Sequence, residues 1–143
     1  MSFFVALAVF SLDRLTKIAA LKMLELGQSI KAIPGVLRIT LVLNDGAAFG
    51  LFKGRAVIFV FISLVVIIAI VAYLIKGRPL DRSVSIGLGL ILGGALGNLV
   101  DRVIIGRVVD FLDFGVWPVF NIADSCITIG AVMIVFAVSL NKK

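Results

Sequence analysis

Asp101, Asp110 and Asp124 lie close together in a chain that is otherwise mostly apolar. Two carboxylates at a partly dry site cannot both ionise cheaply, so one tends to keep its proton. The ionised member can then activate water while the protonated one polarises a carbonyl. Such a pair can hydrolyse a peptide bond without histidine, metal or a covalent intermediate. The chain has no histidine and one cysteine, Cys126. Ser-His and Cys-His nucleophiles are thereby excluded, as is a His- or Cys-based zinc site, and no cofactor is implied. A single cysteine forms no internal disulfide, and Cys126, inside "SCITIGAVMIVF", reads as a small packed hydrophobe.

The residue types do not by themselves pick the pair. Asn98, Asp101 and Arg102 stand at i, i+3 and i+4 and share a helix face, so Asp101 is either an ion-pair partner of Arg102 at a helix end or a catalytic acid. Asp13 and Lys17 stand at i and i+4 and read as a structural salt bridge. Asp124 meets no basic residue until Lys142 and has Asn121 three positions earlier; it is either a helix cap or a working acid. In "RVVDFLDF" strand alternation points Asp110 and Asp113 opposite ways, and the choice between them stays open. Asp81 and Glu25 read as solvated. On residue chemistry alone an intramembrane aspartyl hydrolase competes with a proton-coupled transporter using Asp13, Asp101 and Asp124 as a relay. A third reading is a non-enzymatic assembly factor that uses its glycine-rich helix for contacts.

These side chains must be held by elements suited to lipid. Of 143 residues, 62% are hydrophobic and 15% charged, and the mean hydropathy is +1.23. A soluble domain has about 25% charged residues, so residues 1–143 read as a single integral membrane domain. The fold class is mainly α, a bundle of four transmembrane helices over about 3–21, 56–75, 83–102 and 121–140. The third, "SVSIGLGLILGGALGNLV", is rich in glycine, which lets helix backbones approach closely inside a bundle. The N-terminal run lacks a basic start and a small-residue cleavage site, so it reads as a retained helix rather than a signal peptide. Between helices 1 and 2, about 25–55, turn signals at Pro34-Gly35 and Asn44-Asp45-Gly46 flank β-branched residues. Open strands are not viable in hydrocarbon, so this piece is expected as a small extracytoplasmic β-sheet platform. The net charge of +6 is spread over loops and helix ends, which suits lipid headgroups; no nucleic-acid motif is present. Lys76, Arg78, Arg82, Lys142 and Lys143 favour cytoplasmic termini, whereas Lys22, Lys31, Arg38, Lys53 and Arg55 lie in the opposite loop. With that topology Asn44, Asp101 and Asn121 meet at one membrane face. Asp13, about 15 Å along helix 1, lies towards it.

Five blocks run through nearly the whole chain in one order: "DRLTK" (13–17), "NDGAAFG" (44–50), "GGALGNLVDR" (93–102), "GRVVDFLDF" (106–114) and "FNIADS" (120–125). In these blocks the sequence resembles lipoprotein signal peptidase, the type II signal peptidase of bacteria. The resemblance implies an aspartic endopeptidase that cleaves prolipoproteins before a diacylglyceryl-modified cysteine. It implies an enzyme of the bacterial cytoplasmic (inner) membrane, with its site at the extracytoplasmic face and with membrane lipid and prolipoproteins as partners; a monomer is expected, although the sequence does not fix the oligomeric state. The family's catalytic pair maps to Asp110 and Asp124. Asn44, Gly46, Ala48, Phe49, Asn98, Asp101, Arg102, Asn121 and Ala123 map to substrate-binding or site-supporting positions, with Phe49 in a surface loop able to act as a flap. Asp13 and Lys17 map to structural polar positions, and no metal is implied.

Overall fold

The fold follows from a helix that has almost no side chains where it meets its neighbours. In a computed structural model describing residues 1–45, 56–77 and 79–140, the elements run α1 (Ser2–Met23), β1 (Ser29–Ile33), β2 (Leu37–Asn44), α2 (Ala56–Ile75), α3 (Arg82–Ile105), β3 (Val108–Asp113) and α4 (Ile122–Leu140). Gly46, Ala48 and Phe49, singled out above, lie outside the described residues, as do Lys53, Arg55, Arg78, Lys142 and Lys143. α3 is the centre of the bundle. Gly89, Gly93 and Gly97, four residues apart, face α1: a Cβ on Gly89 would stand 2.6 Å from the Ser2 carbonyl oxygen, and one on Gly93 2.5 Å from that of Ala6. Gly87 and Gly94 face α4, where added Cβ atoms would stand 2.8 Å from the Gly130 oxygen and 2.6 Å from the Ala123 oxygen. With little hydrophobic drive between helices in lipid, such close backbone packing is what holds them together. α2 joins the other side, where Ile70 packs with Ala6 and Leu92.

Among the described residues, three helices are long and apolar enough to cross a membrane: Val57–Ile75, Arg82–Ile105 and Ile122–Leu140. α1 has the length, 22 residues, but carries charge. Asp13 and Lys17 are fully buried, turned into the bundle, while Phe4, Leu7 and Leu15 stand exposed on the outside. Lys17 Nζ lies 2.8 Å from Asp13 Oδ2 and 2.8 Å from Asp101 Oδ2, and Arg14 pairs with the other oxygen of Asp101. The i, i+4 pairing of Asp13 with Lys17 is therefore present, whereas Asp101 is held by α1 and not by its neighbour Arg102. The reason is direction: adjacent residues on a helix point about 100° apart, and Asp101 faces α1. α3 also runs past residue 102 to Ile105, where Gly106 (φ 71°) closes it with its N–H on the Arg102 oxygen. At its other end Asp81, read above as merely solvated, caps the helix by accepting from the Ser83 N–H at 2.8 Å.

The sheet is antiparallel in the order β1-β2-β3. It is wider than the 25–55 segment alone: β3 comes from the link between α3 and α4 and pairs Asn44 with Val108 and Val42 with Asp110. β2 would otherwise expose an edge, and "VVDFLD" is the nearby run able to cover it. Leu41, Val109 and Phe111 pack with Ala20 and Leu24, which seats the sheet on the end of α1.

Gly97 is the tightest of these contacts, because a Cβ there would run into the Asp13 carboxylate. Gly97→Ala and Gly94→Ala should each lower stability by roughly 1–3 kcal/mol through overpacking. Thermal unfolding of the purified protein in detergent measures this; unchanged midpoints in both variants would contradict the close contacts.

Candidate functional site

After β3 the chain doubles back on itself. Phe111 and Leu112 N–H groups donate to the Phe120 oxygen at 3.0 and 2.8 Å, and the Phe120 N–H returns a bond to the Leu112 oxygen at 3.1 Å. Phe114 and Phe120 stack, with ring centroids 5.8 Å apart. This closure delivers Asn121 and the start of α4 beside Asp110. Asn121 then caps α4: its Oδ1 accepts from the Asp124 N–H at 2.9 Å, as an N-cap side chain does for the third residue of a helix. The next orphan donor, Ala123 N–H, goes to Asp13 Oδ1 at 3.0 Å. Ala123, expected at the site, is fully buried at the α3–α4 contact and supplies this backbone bond.

The cap fixes which way round the Asn121 amide sits. Its oxygen faces a donor, so its nitrogen faces outward and donates to Asp110 Oδ1 at 2.7 Å. Asn44 Nδ2 donates to the other oxygen of Asp110 at 2.9 Å, placed there by the β2–β3 pairing. Asn98 Nδ2 donates to Asp124 Oδ1 at 2.7 Å, while Asn98 Oδ1 accepts from Lys17 Nζ at 2.8 Å and from Asn121 Nδ2 at 3.1 Å. Asp101 Oδ2 accepts from the Val109 N–H at 3.2 Å, which ties the strand carrying Asp110 to the end of α3. Three asparagines thus hold two aspartates, each by short amide bonds.

Asp110 and Asp124 line one cavity of about 330 Å³, together with Asn44, Arg102, Phe59 and Trp117. The Arg102 guanidinium lies 5.2 Å from the Phe59 ring centroid, a cation–π contact that leaves its charge at the cavity. A second, largely apolar cavity of about 560 Å³ continues past Asp124 between Trp117, Phe120, Thr128 and Ile129. Burial, and then the charge of Asp124, push the Asp110 carboxyl up to about 7, against the amide bonds from Asn44 and Asn121. Asp113 belongs elsewhere. It accepts from Arg38 Nε at 3.1 Å, Thr40 Oγ1 at 2.8 Å and the Gly115 N–H at 2.8 Å, on a different cavity. Those bonds, led by that of Thr40, hold its carboxyl below the usual range. Of the two, Asp110 shares the cavity with Asp124.

The described residues bring together Asn44, Asn98, Arg102, Asp110, Asn121 and Asp124, with Asp101, Asp13 and Lys17 directly behind them. Among them no three His, Cys, Asp or Glu side chains are grouped to hold a metal ion. Phe59, Trp117 and Thr128 were not anticipated as cavity walls, nor Arg14 as the partner of Asp101. Phe59 is one of many apolar residues in an uncharged helix and carries no local signal; Trp117, the single tryptophan beside a polar block, does.

The family model described as signal peptidase (SPase) II matches residues 5–140. A lipoprotein signal peptidase of Halothermothrix orenii is 44% identical over 135 residues, covering 94% of this chain and 92% of that protein. One from Brevibacillus brevis is 42% identical over 143 residues, covering 99% and 96%. A solved structure titled as a bacterial membrane enzyme at 2.3 Å resolution superposes with a TM-score of 0.92 at 36% identity, covering 99% of this chain and 89% of that one. A second bacterial membrane enzyme, solved at 1.9 Å, gives a TM-score of 0.86 at 38% identity over 96% and 91%. With the family model spanning almost the entire sequence, the chain belongs to the signal peptidase II family.

Proposed function

We propose that this peptidase is an aspartic endopeptidase of the bacterial cytoplasmic membrane that removes signal peptides from prolipoproteins, cutting before a diacylglyceryl-modified cysteine. One observation carries the mechanism: Asp110 and Asp124 open on the same cavity, and the carboxyl of Asp110 titrates near neutrality. At neutral pH such a pair holds about one proton. The ionised member draws a proton from water, whose oxygen bonds to the scissile carbonyl carbon. The protonated member gives its proton to the carbonyl oxygen. When the C–N bond breaks, the leaving nitrogen takes a proton back from the pair. Asn98, Asn121 and Asn44 hold the two carboxylates, and Arg102 sits where the substrate backbone passes. The apolar cavity beyond Asp124 suits the acyl chains or the signal helix.

In the same reading α1 is a fourth membrane span, and residues 1–143 form one domain that works as a monomer. A helix of 22 residues is about 33 Å long, enough for a hydrocarbon core of about 30 Å, and its buried charges are hidden from lipid by the bundle. The site then lies at the end of α3 and the start of α4, the extracytoplasmic face. A proton relay through Asp13, Asp101 and Asp124 gains no support. Asp13 and Asp101 are bound into ion pairs with Lys17 and Arg14, and all three acids cluster near one end of the bundle.

The deciding experiment incubates the purified protein with a diacylglyceryl-modified prolipoprotein and follows release of the signal peptide. Asp110→Asn and Asp124→Asn should each abolish cleavage, a loss of about 10³-fold or more, while the variants stay folded. Asp113→Asn, which disturbs only the Arg38 and Thr40 bonds, should retain much of the activity. Full activity in either variant of the pair would sink the assignment.

The pH dependence has a definite sign. Asp110 is protonated below about pH 7 and loses its proton above it. A mechanism that needs one proton on the pair should therefore lose kcat/KM as pH rises through about 7 in the free enzyme. A profile flat from pH 6 to pH 9 would contradict the raised carboxyl.

A further inference from the structure

Asn98 can sit either way round, and its two ends have unlike neighbours. Its oxygen accepts from Lys17 Nζ at 2.8 Å and its nitrogen donates to Asp124 Oδ1 at 2.7 Å. An ammonium carries three donors and no acceptor, so the end of Asn98 that faces Lys17 has to be oxygen. The nitrogen is thereby turned to Asp124. We propose that Lys17 is a positioning residue for the peptide hydrolysis: its buried ammonium holds the Asn98 amide the one way round that offers Nδ2–H to Asp124, and so keeps Asp124 as the ionised, water-activating member of the pair. The inference rests on the aspartate-pair reading above and assigns the roles within it.

Lys17 is fully buried; its ammonium donates to Asn98 and forms ion pairs with Asp13 and Asp101. Of the three partners, Asn98 alone bonds Asp124 by its side chain, while Asp101 accepts from the Val109 N–H on the strand that bears Asp110. A charged donor strengthens and polarises the amide it binds, so Asn98 passes part of the Lys17 charge to Asp124. Asp110 receives its bonds from Asn44 and Asn121. Asn121 also donates to Asn98 Oδ1, but at 3.1 Å and from a nitrogen bound more tightly to Asp110, so its hold on the amide is the weaker one. A reversed Asn98 would face Asp124 with oxygen, which is tolerable only when Asp124 carries a proton. Among the described residues, the charged groups facing Asp124 are Lys17 from α1, Arg102 from α3 and Asp110 from β3. Those facing Lys17 are Asp13 from its own helix and Asp101 from α3, with Arg14 on the far oxygen of Asp101.

The test compares the pH profile of kcat for the full-length wild-type protein, Lys17→Met and Arg14→Met, using a synthetic lipopeptide with a diacylglyceryl cysteine. Arg14→Met removes a charge from the same ion cluster without touching Asn98. Lys17→Met should move the acid limb of the profile up by about one pH unit or more, the scale of losing a nearby opposite charge. Arg14→Met should leave the limb in place while lowering thermal stability. Unmoved limbs in both variants, or equal movements, would reduce Lys17 to a structural residue. Should Lys17→Met not fold, Lys17→Met combined with Asp13→Asn keeps the cluster balanced in charge and carries the same expectation. Activity surviving in Asp124→Asn would instead overturn the aspartate-pair reading itself, whatever the limbs do.

Discussion

The bundle depends on a single buried ammonium. Lys17 has no contact with solvent; it donates to Asn98 and lies 2.8 Å from a carboxylate oxygen of each of Asp13 and Asp101. Removing one partner from such a buried pair leaves an uncompensated charge, which costs about 3–5 kcal/mol. The cluster of Lys17, Arg14, Asp13 and Asp101 is electrically neutral, so it can sit between helices without drawing in water. From it run two rigid connections: through Asn98 to Asp124, and through Asp101 to the Val109 N–H and hence to the strand bearing Asp110. Asp110 and Asp124 are thus referenced to the same point, although they sit on different elements.

Asparagine suits this framework because one amide offers both donors and acceptors. Asn121 uses its oxygen to start α4 and its nitrogen to hold Asp110, so the geometry of the helix start and of the site cannot drift apart. Aspartate at the same place would accept the helix N–H equally well, yet set a third negative charge against Asp110. The cavity walls are of another kind: Phe59, Trp117 and Phe120 lower the local polarity, and desolvation is the main reason Asp110 holds its proton so far up the pH scale.

Much of this was legible in the residues. The uncharged run of α2 and the glycine spacing of α3 announced two helices and the interior position of the second. The i, i+4 pair of Asp13 and Lys17 was visible because helical neighbours are local. What stayed hidden was non-local. Asp101 beside Arg102 suggested a pair, but the side chains diverge and Asp101 finds Arg14 and Lys17 across the helix interface. Strand alternation in "RVVDFLDF" could not choose between Asp110 and Asp113, because the choice lies with Asn44, Thr40 and Arg38 on β2. Likewise the third strand of the sheet has no signal in the 25–55 segment; its partner arrives from the far side of two helices.

The glycine rows on α3 have a consequence for how this fold can vary. At its glycine positions that helix presents bare backbone to α1 and α4, so there the shape of the interface is set by the opposite helix. Val9 and Ala6 fill the space over Gly93, Ile127 that over Gly94, and Ile134 that over Gly87. Shrinking those side chains would not by itself admit bulk into α3, because an added Cβ also meets backbone: the Ala6 oxygen at 2.5 Å over Gly93 and the Gly130 oxygen at 2.8 Å over Gly87, so the helices themselves would have to part. Gly97 meets a side chain instead. Its counterpart is the Asp13 carboxylate, which cannot shrink without releasing both Lys17 and the first turn of α4.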